Sequence, residues 1–261
     1  MGSNEEAPVY QETVLVTGFG PFGVHAVNAS METVKLLTSL DVERELGIRL
    51  VTREIPVVYD YVQNMVPQLW ELYQPKVLQL GLSTFWITRI MLIFFIIFQW
   101  QLVVHVGVSG MAQELTLETQ AFNSGYGSLD TTGLLPRGGV CVEGCPDRLE
   151  SAIDMRRICQ NINDACDCDV VSCVSTDPGR YLCDFIYYSS LHVDSSRAAF
   201  VHVPVLDKPY SALQLAQSLK LAIAGMLEQV RKNDAERKKN STWKLYIPVA
   251  LKIAFSLETN P

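Results

Sequence analysis

The residues able to do chemistry gather around one cysteine. In Asp177-Pro-Gly-Arg-Tyr-Leu-Cys183-Asp, a Pro-Gly turn follows a short β-branched run, and Cys183 falls in the first turns of a helix expected over Tyr181–Leu191. A helix N-terminus favours negative charge, which biases a thiol there toward the nucleophilic thiolate. Taken alone, a buried structural cysteine is the commoner reading of such a position. His202 sits in Phe200-Val-His-Val-Pro204, near the end of an expected strand. A lone histidine in an apolar strand is more often a core residue. A strand-end imidazole facing a helix-start cysteine is nevertheless the geometry of a thiolate–imidazolium pair. Such a pair needs a third group to orient the ring. Glu118, in Leu115-Thr-Leu-Glu118, is the candidate, expected in the loop region after the central strand; the bland alternative is an exposed surface glutamate.

A second constellation is Gly18-Phe19-Gly20-Pro21-Phe22-Gly23, which satisfies G-x-G-x-x-G after a strand. In a dinucleotide site the helix should open at the third glycine so that its N-terminus meets the pyrophosphate. Here no helix signal comes before about Asn28, and a proline and two phenylalanines crowd the loop. The better functional reading is a loop that sets Phe19 and Phe22 around a small apolar ligand. Cys141-x-x-x-Cys145 and Cys166-x-Cys168 lack the paired Cys/His spacing of a zinc site, so no metal is expected.

Elements of alternating type must position these residues. Strands are expected at Thr13–Thr17, Ile48–Thr52, Leu102–Val108, Val170–Val174 and Ala198–Val203. Helices are expected after Asn28 or Ser30, over Val62–Leu72 with Pro67 as a kink, over Arg148–Ile162, at Tyr181–Leu191 and from Leu213 to Leu227. Strands alternating with helices predict an α/β fold, a three-layer α/β/α sandwich around a mainly parallel twisted sheet.

Residues 1–12 read as a tail, 13–230 as the domain and 231–261 as an extension whose charged run, Arg231–Lys239, reads as a solvated linker. An apolar insert, 76–100, interrupts the domain. Its start, Val77-Leu-Gln-Leu-Gly-Leu-Ser83, imitates Val103-Val-His-Val-Gly-Val-Ser109, so two candidate strands compete for one place in the sheet. Ile90–Val108 carries no charge and is long enough to span a bilayer, which keeps a membrane role open through residues 90–108.

Composition bounds the partners. The 261-residue chain has net charge −7, which argues against nucleic acid as a partner. Seven cysteines, an odd number, together with a polar, acidic start, fit a reducing cytoplasmic location better than a disulfide framework.

Together these pieces resemble the pyroglutamyl-peptidase I family. Five stretches carry the resemblance: Val14–Gly23 with Val27-Asn-Ala-Ser30, Glu54-Ile-Pro-Val57, Val104–Met111, Gly179–Phe185 and Phe200–Pro204. Variation between them suits the family's 1-like paralogous branch. The resemblance implies an α/β/α cysteine peptidase that removes N-terminal pyroglutamate from peptides without a cofactor. It puts the nucleophile on Cys183, the base on His202 and the orienting acid on Glu118, with Phe19 and Phe22 flanking the pyroglutamyl ring. Oligomeric state is not implied. Three departures support a second reading, a catalytically weak or inactive paralogue that binds peptide N-termini or partners. The basic residues that family members carry after the glutamate are missing between Glu118 and Tyr126, the insert adjoins the strand leading to Glu118, and the tail after Val230 is foreign to the family pattern.

Overall fold

The computed structural model describes residues 12–23, 26–72, 100–165 and 169–240. Its strands are β1 (Thr13–Phe19), β2 (Arg49–Ile55), β3 (Trp100–Val108), β4 (Leu115–Glu118), β5 (Gln120–Phe122), β6 (Arg148–Glu150), β7 (Ser172–Ser175) and β8 (Ala198–Val203). Its α-helices are α1 (Ala29–Leu36), α2 (Val42–Leu46), α3 (Tyr59–Leu72), α4 (Met155–Asn163), α5 (Leu182–Asp194) and α6 (Ala212–Asn240). The main sheet has six strands in the order β2-β1-β3-β8-β4-β7, while β5 and β6 form a separate antiparallel pair. Within the main sheet only β4 and β8 run antiparallel to each other.

Period-two alternation divides the core between the two faces of this sheet. Val14 and Val16 of β1, Leu102, Val104 and Val106 of β3, and Ala199, Val201 and Val203 of β8 pack on one side with α1, α4 and α6. Leu15, Val103, Ala198 and Phe200 point to the other side, where α3 and α5 supply Val62, Val66, Phe185 and Tyr188. Both faces are therefore covered, which completes the expected α/β/α sandwich.

The contested place in the sheet belongs to β3. Val103 to Val108 pair in unbroken parallel register with Ala198 to Val203, and Val14 to Gly18 pair with Leu102 to Val106 on the other edge. The imitating segment Val77–Ser83 lies outside the described residues. So does 90–99, the first half of the window long enough to span a bilayer; the second half forms β3 inside the sheet. No helix among the described residues is long and apolar enough to cross a membrane.

Three local expectations need correction. Glu118 does not lie in a loop: it ends β4, inside the main sheet. Arg148–Glu150 pairs with β5 instead of opening a helix. The helix waits for a cap, and Asp154 provides it by accepting the Arg157 N–H at 3.1 Å. The charged run from Arg231 is helical to Asn240 and continues α6. Glu, Lys and Arg propagate a helix readily, and two pairs hold this end down: Arg197 with Asp234 at 2.7 Å, and Arg231 Nε with Glu12 at 2.8 Å.

Candidate active site

The same alternation brings the sequence's candidates to one face. On β8, His202 shares the side of Ala198 and Phe200; on β4, Glu118 lies opposite the face of Leu115 and Leu117. Both therefore face the layer that contains α5, the helix that opens with Leu182 and Cys183. His202 Nδ1 and Glu118 Oε1 are 2.8 Å apart, and Glu118 is only 2 % exposed. The Glu118 backbone is fixed as well, because Tyr187 of α5 donates its hydroxyl to the Glu118 carbonyl at 2.9 Å. With Nδ1 committed to the carboxylate, Nε2 is the ring nitrogen left to serve the Cys183 sulfur.

Electrostatics favour a charged imidazole here. Burial opposes the imidazolium, but the charges and hydrogen bonds of Cys183 and Glu118 outweigh it and push His202 up to about 10. The helix start adds to this. The amides of Leu182, Cys183 and Asp184 precede the first backbone bond of the helix, Phe185 N–H to Tyr181 O at 3.0 Å. Such orphan donors suit a negative charge developing beside the sulfur.

One glycine makes the close approach possible. Gly107 on β3 is in register with His202, and a Cβ there would lie 2.7 Å from Cys183 Sγ and 2.7 Å from Phe200 Cζ. Beside the sulfur opens a recess lined by Phe19, Phe22, Asn28, Val57, Tyr181 and Cys183 among others. Its aromatic wall is locked from behind. Ser30 Oγ accepts the Phe19 N–H at 2.9 Å, and Asn28 donates to the Gly20 carbonyl at 2.9 Å while its own carbonyl caps α1. The first glycine of the loop serves packing, since a Cβ at Gly18 would lie 2.7 Å from the Met31 Cα.

The structure thus brings Cys183, His202 and Glu118 together, with Phe19 and Phe22 beside them. Sequence reasoning did not single out Gly107, Tyr181 or Asp184 as site residues, and it read Asn28 only as a helix cap. Asp184, next to the cysteine, is fully buried and accepts the Phe122 N–H at 2.9 Å, tying the chain after Glu118 to α5. Burial pushes its carboxyl up to about 7, against the pull of that bond and of Arg180. The stretch after Glu118 has no basic residue of its own, but the Arg180 guanidinium lies 3.6 Å from the centre of the Phe122 ring. Parity along β3 was the available signal for Gly107. Nothing in spacing pointed to Asp184.

Cys141 is a different kind of thiol. Its sulfur lies 3.3 Å from the Phe185 carbonyl and 3.1 Å from Ser189 Oγ, and burial pushes it up to about 12. His105, also buried, is bracketed by Thr17 and Ser190 at 2.7 Å each, and desolvation lowers it to about 3. Both are core groups. Cys166, Cys168 and His25 lie outside the described residues.

The pyroglutamyl peptidase family model matches residues 12–85, and the PgaPase_1 pyroglutamyl peptidase model matches 91–207. The chain is 41% identical over 226 residues to pyroglutamyl-peptidase 1 of Homo sapiens, covering 87% of this chain and 95% of that protein. It is 35% identical over 212 residues to the pyroglutamyl-peptidase 1-like protein of Homo sapiens, covering 80% and 94%. The crystal structure of Bacillus amyloliquefaciens pyroglutamyl peptidase I has the same fold, with a TM-score of 0.64 at 22% identity over 83% of this chain and 97% of that one. On the strength of the human relatives, this chain belongs to the pyroglutamyl peptidase family.

Proposed function

We propose that this chain is a cysteine peptidase that removes pyroglutamate from the N-terminus of peptides, with Cys183 as nucleophile, His202 as general base and acid, and Glu118 as the orienting carboxylate. One observation carries the reading: the Glu118–His202 pair at 2.8 Å and the Cys183 sulfur meet beside a recess walled by Phe19 and Phe22. The relatives named above support the substrate. A compact, uncharged lactam suits an aromatic slot with few polar groups.

The reaction runs as an acyl transfer. Cys183 Sγ attacks the carbonyl carbon that joins the lactam ring to the next residue, and a carbon–sulfur bond forms. The carbonyl oxygen takes negative charge next to the amides at the start of α5. As the carbon–nitrogen bond breaks, His202 Nε2 gives its proton to the leaving amine. Water then enters, His202 takes one of its protons, and hydroxide attack on the thioester frees pyroglutamate and returns the thiol. Glu118 keeps Nδ1 protonated throughout and stabilises the imidazolium. The described cysteines are all free thiols, which suits a reducing compartment, and the cytosol is the proposed location.

The test is hydrolysis of a fluorogenic pyroglutamyl amide by the purified chain and by Cys183→Ala. Release of fluorophore by the wild type and none by the variant is the expected result. Turnover that survives in Cys183→Ala would overturn the assignment.

A further inference from the structure

Beside the recess lies a loop whose three leucines the fold leaves in water: Leu129, Leu134 and Leu135 are 58%, 54% and 46% exposed. Single exposed leucines need no explanation, but three on one short, ordered loop do. The loop is built around the buried Asp130 carboxylate, which accepts from the backbone of Tyr59 at 3.0 Å, Thr132 at 2.8 Å and Leu134 at 3.1 Å. It is also pinned to the recess at two places. Tyr181 donates its hydroxyl to the Leu129 carbonyl at 3.0 Å, and Thr131 donates to the Val57 carbonyl from its amide at 3.1 Å and its hydroxyl at 2.9 Å. Tyr181 and Val57 both line the recess beside Cys183.

We propose that Leu129, Leu134 and Leu135 form an apolar shelf that selects a hydrophobic residue immediately after the pyroglutamyl group. This rests on the pyroglutamyl peptidase reading above. With the lactam in the recess, the rest of the peptide leaves past the sulfur and across the rim, where its first side chain meets the shelf. A second copy of the chain is the poorer occupant, because three half-exposed leucines fall far short of the ~800 Å² per partner that a stable interface buries.

The test compares two matched peptides, with leucine or glycine after pyroglutamate, on the wild type and on the combined variant Leu129→Ser, Leu134→Ser, Leu135→Ser. Circular dichroism melts confirm that the variant is folded. The wild type is expected to favour the leucine peptide by roughly tenfold in kcat/KM, mostly through KM, and the variant by no more than about twofold. Equal rates on both peptides in the wild type, or a preference that survives in the variant, would overturn the shelf while leaving the peptidase reading intact. A wild type that cleaves neither peptide would overturn both. Light scattering supplies the remaining arm: a wild-type dimer that the three substitutions dissolve would give the shelf to self-association and overturn the proposal.

Discussion

Replacing Gly107 by alanine isolates the packing that lets the thiol reach its place. The new Cβ would lie 2.7 Å from Cys183 Sγ and 2.7 Å from Phe200 Cζ. Ordinary carbon contacts fall at about 3.5–4.0 Å, so the sulfur or the ring must retreat by roughly 1 Å. Overpacking of this kind costs about 1–3 kcal/mol, which lowers Tm by about 2–12 °C in a domain of this size. The catalytic cost is larger, because a 1 Å displacement of a reacting atom removes on the order of 10² in rate. The assay is kcat/KM on a fluorogenic pyroglutamyl amide, paired with a thermal melt. Gly110→Ala is the control, since a Cβ there meets nothing within 4 Å, and it is expected to keep wild-type activity. A folded Gly107→Ala protein with kcat/KM close to the wild type would refute the reasoning.

Three further outcomes are expected. Glu118→Gln removes a charge that holds His202 up near 10; kcat should fall by about 10²–10⁴, and the alkaline limb of the pH–rate profile should move to lower pH as the imidazolium deprotonates earlier. An unmoved alkaline limb would count against the pair. Phe22→Ala opens one wall of the recess and should raise KM about tenfold with a smaller change in kcat and little change in Tm, as steady-state kinetics and a melt would report. Asp184 has a carboxyl raised to about 7 from its ordinary 3.8, so its contribution to stability is full below pH 3.8 and lost as pH rises through 7. The Tm of Asp184→Asn relative to wild type should therefore be more favourable at pH 8 than at pH 5, and a constant difference would argue against a buried charge there.

Much of this site was legible as pattern. The turn and helix start at Cys183 and the strand end at His202 were legible because both signals are local, but their roles came from the family resemblance and not from the pattern. Alternation along β8 then fixes which face His202 uses. Glu118 was harder. Its segment is short, and only pairing to β7 and β8, partners distant in sequence, makes it a strand. The β5–β6 pair was hidden for the same reason: Arg148–Glu150 becomes a strand only because Gln120–Phe122 lies beside it. Asp184 carries no sequence signal, since its burial follows from the packing of the chain after Glu118 against α5. The competition between Val77–Ser83 and Val103–Ser109 could not be decided from two similar strings. Pairing decides it, because β3 has complete partners in both β1 and β8.

The most direct test of the central claim is to trap the acyl-enzyme. The wild-type chain is mixed with excess pyroglutamyl ester, quenched in acid within the first turnover, digested and read by mass spectrometry. The account predicts one pyroglutamyl group, bound as a thioester, on the peptide that contains Cys183. A label on another cysteine, or turnover with no covalent adduct at any quench time, would contradict it.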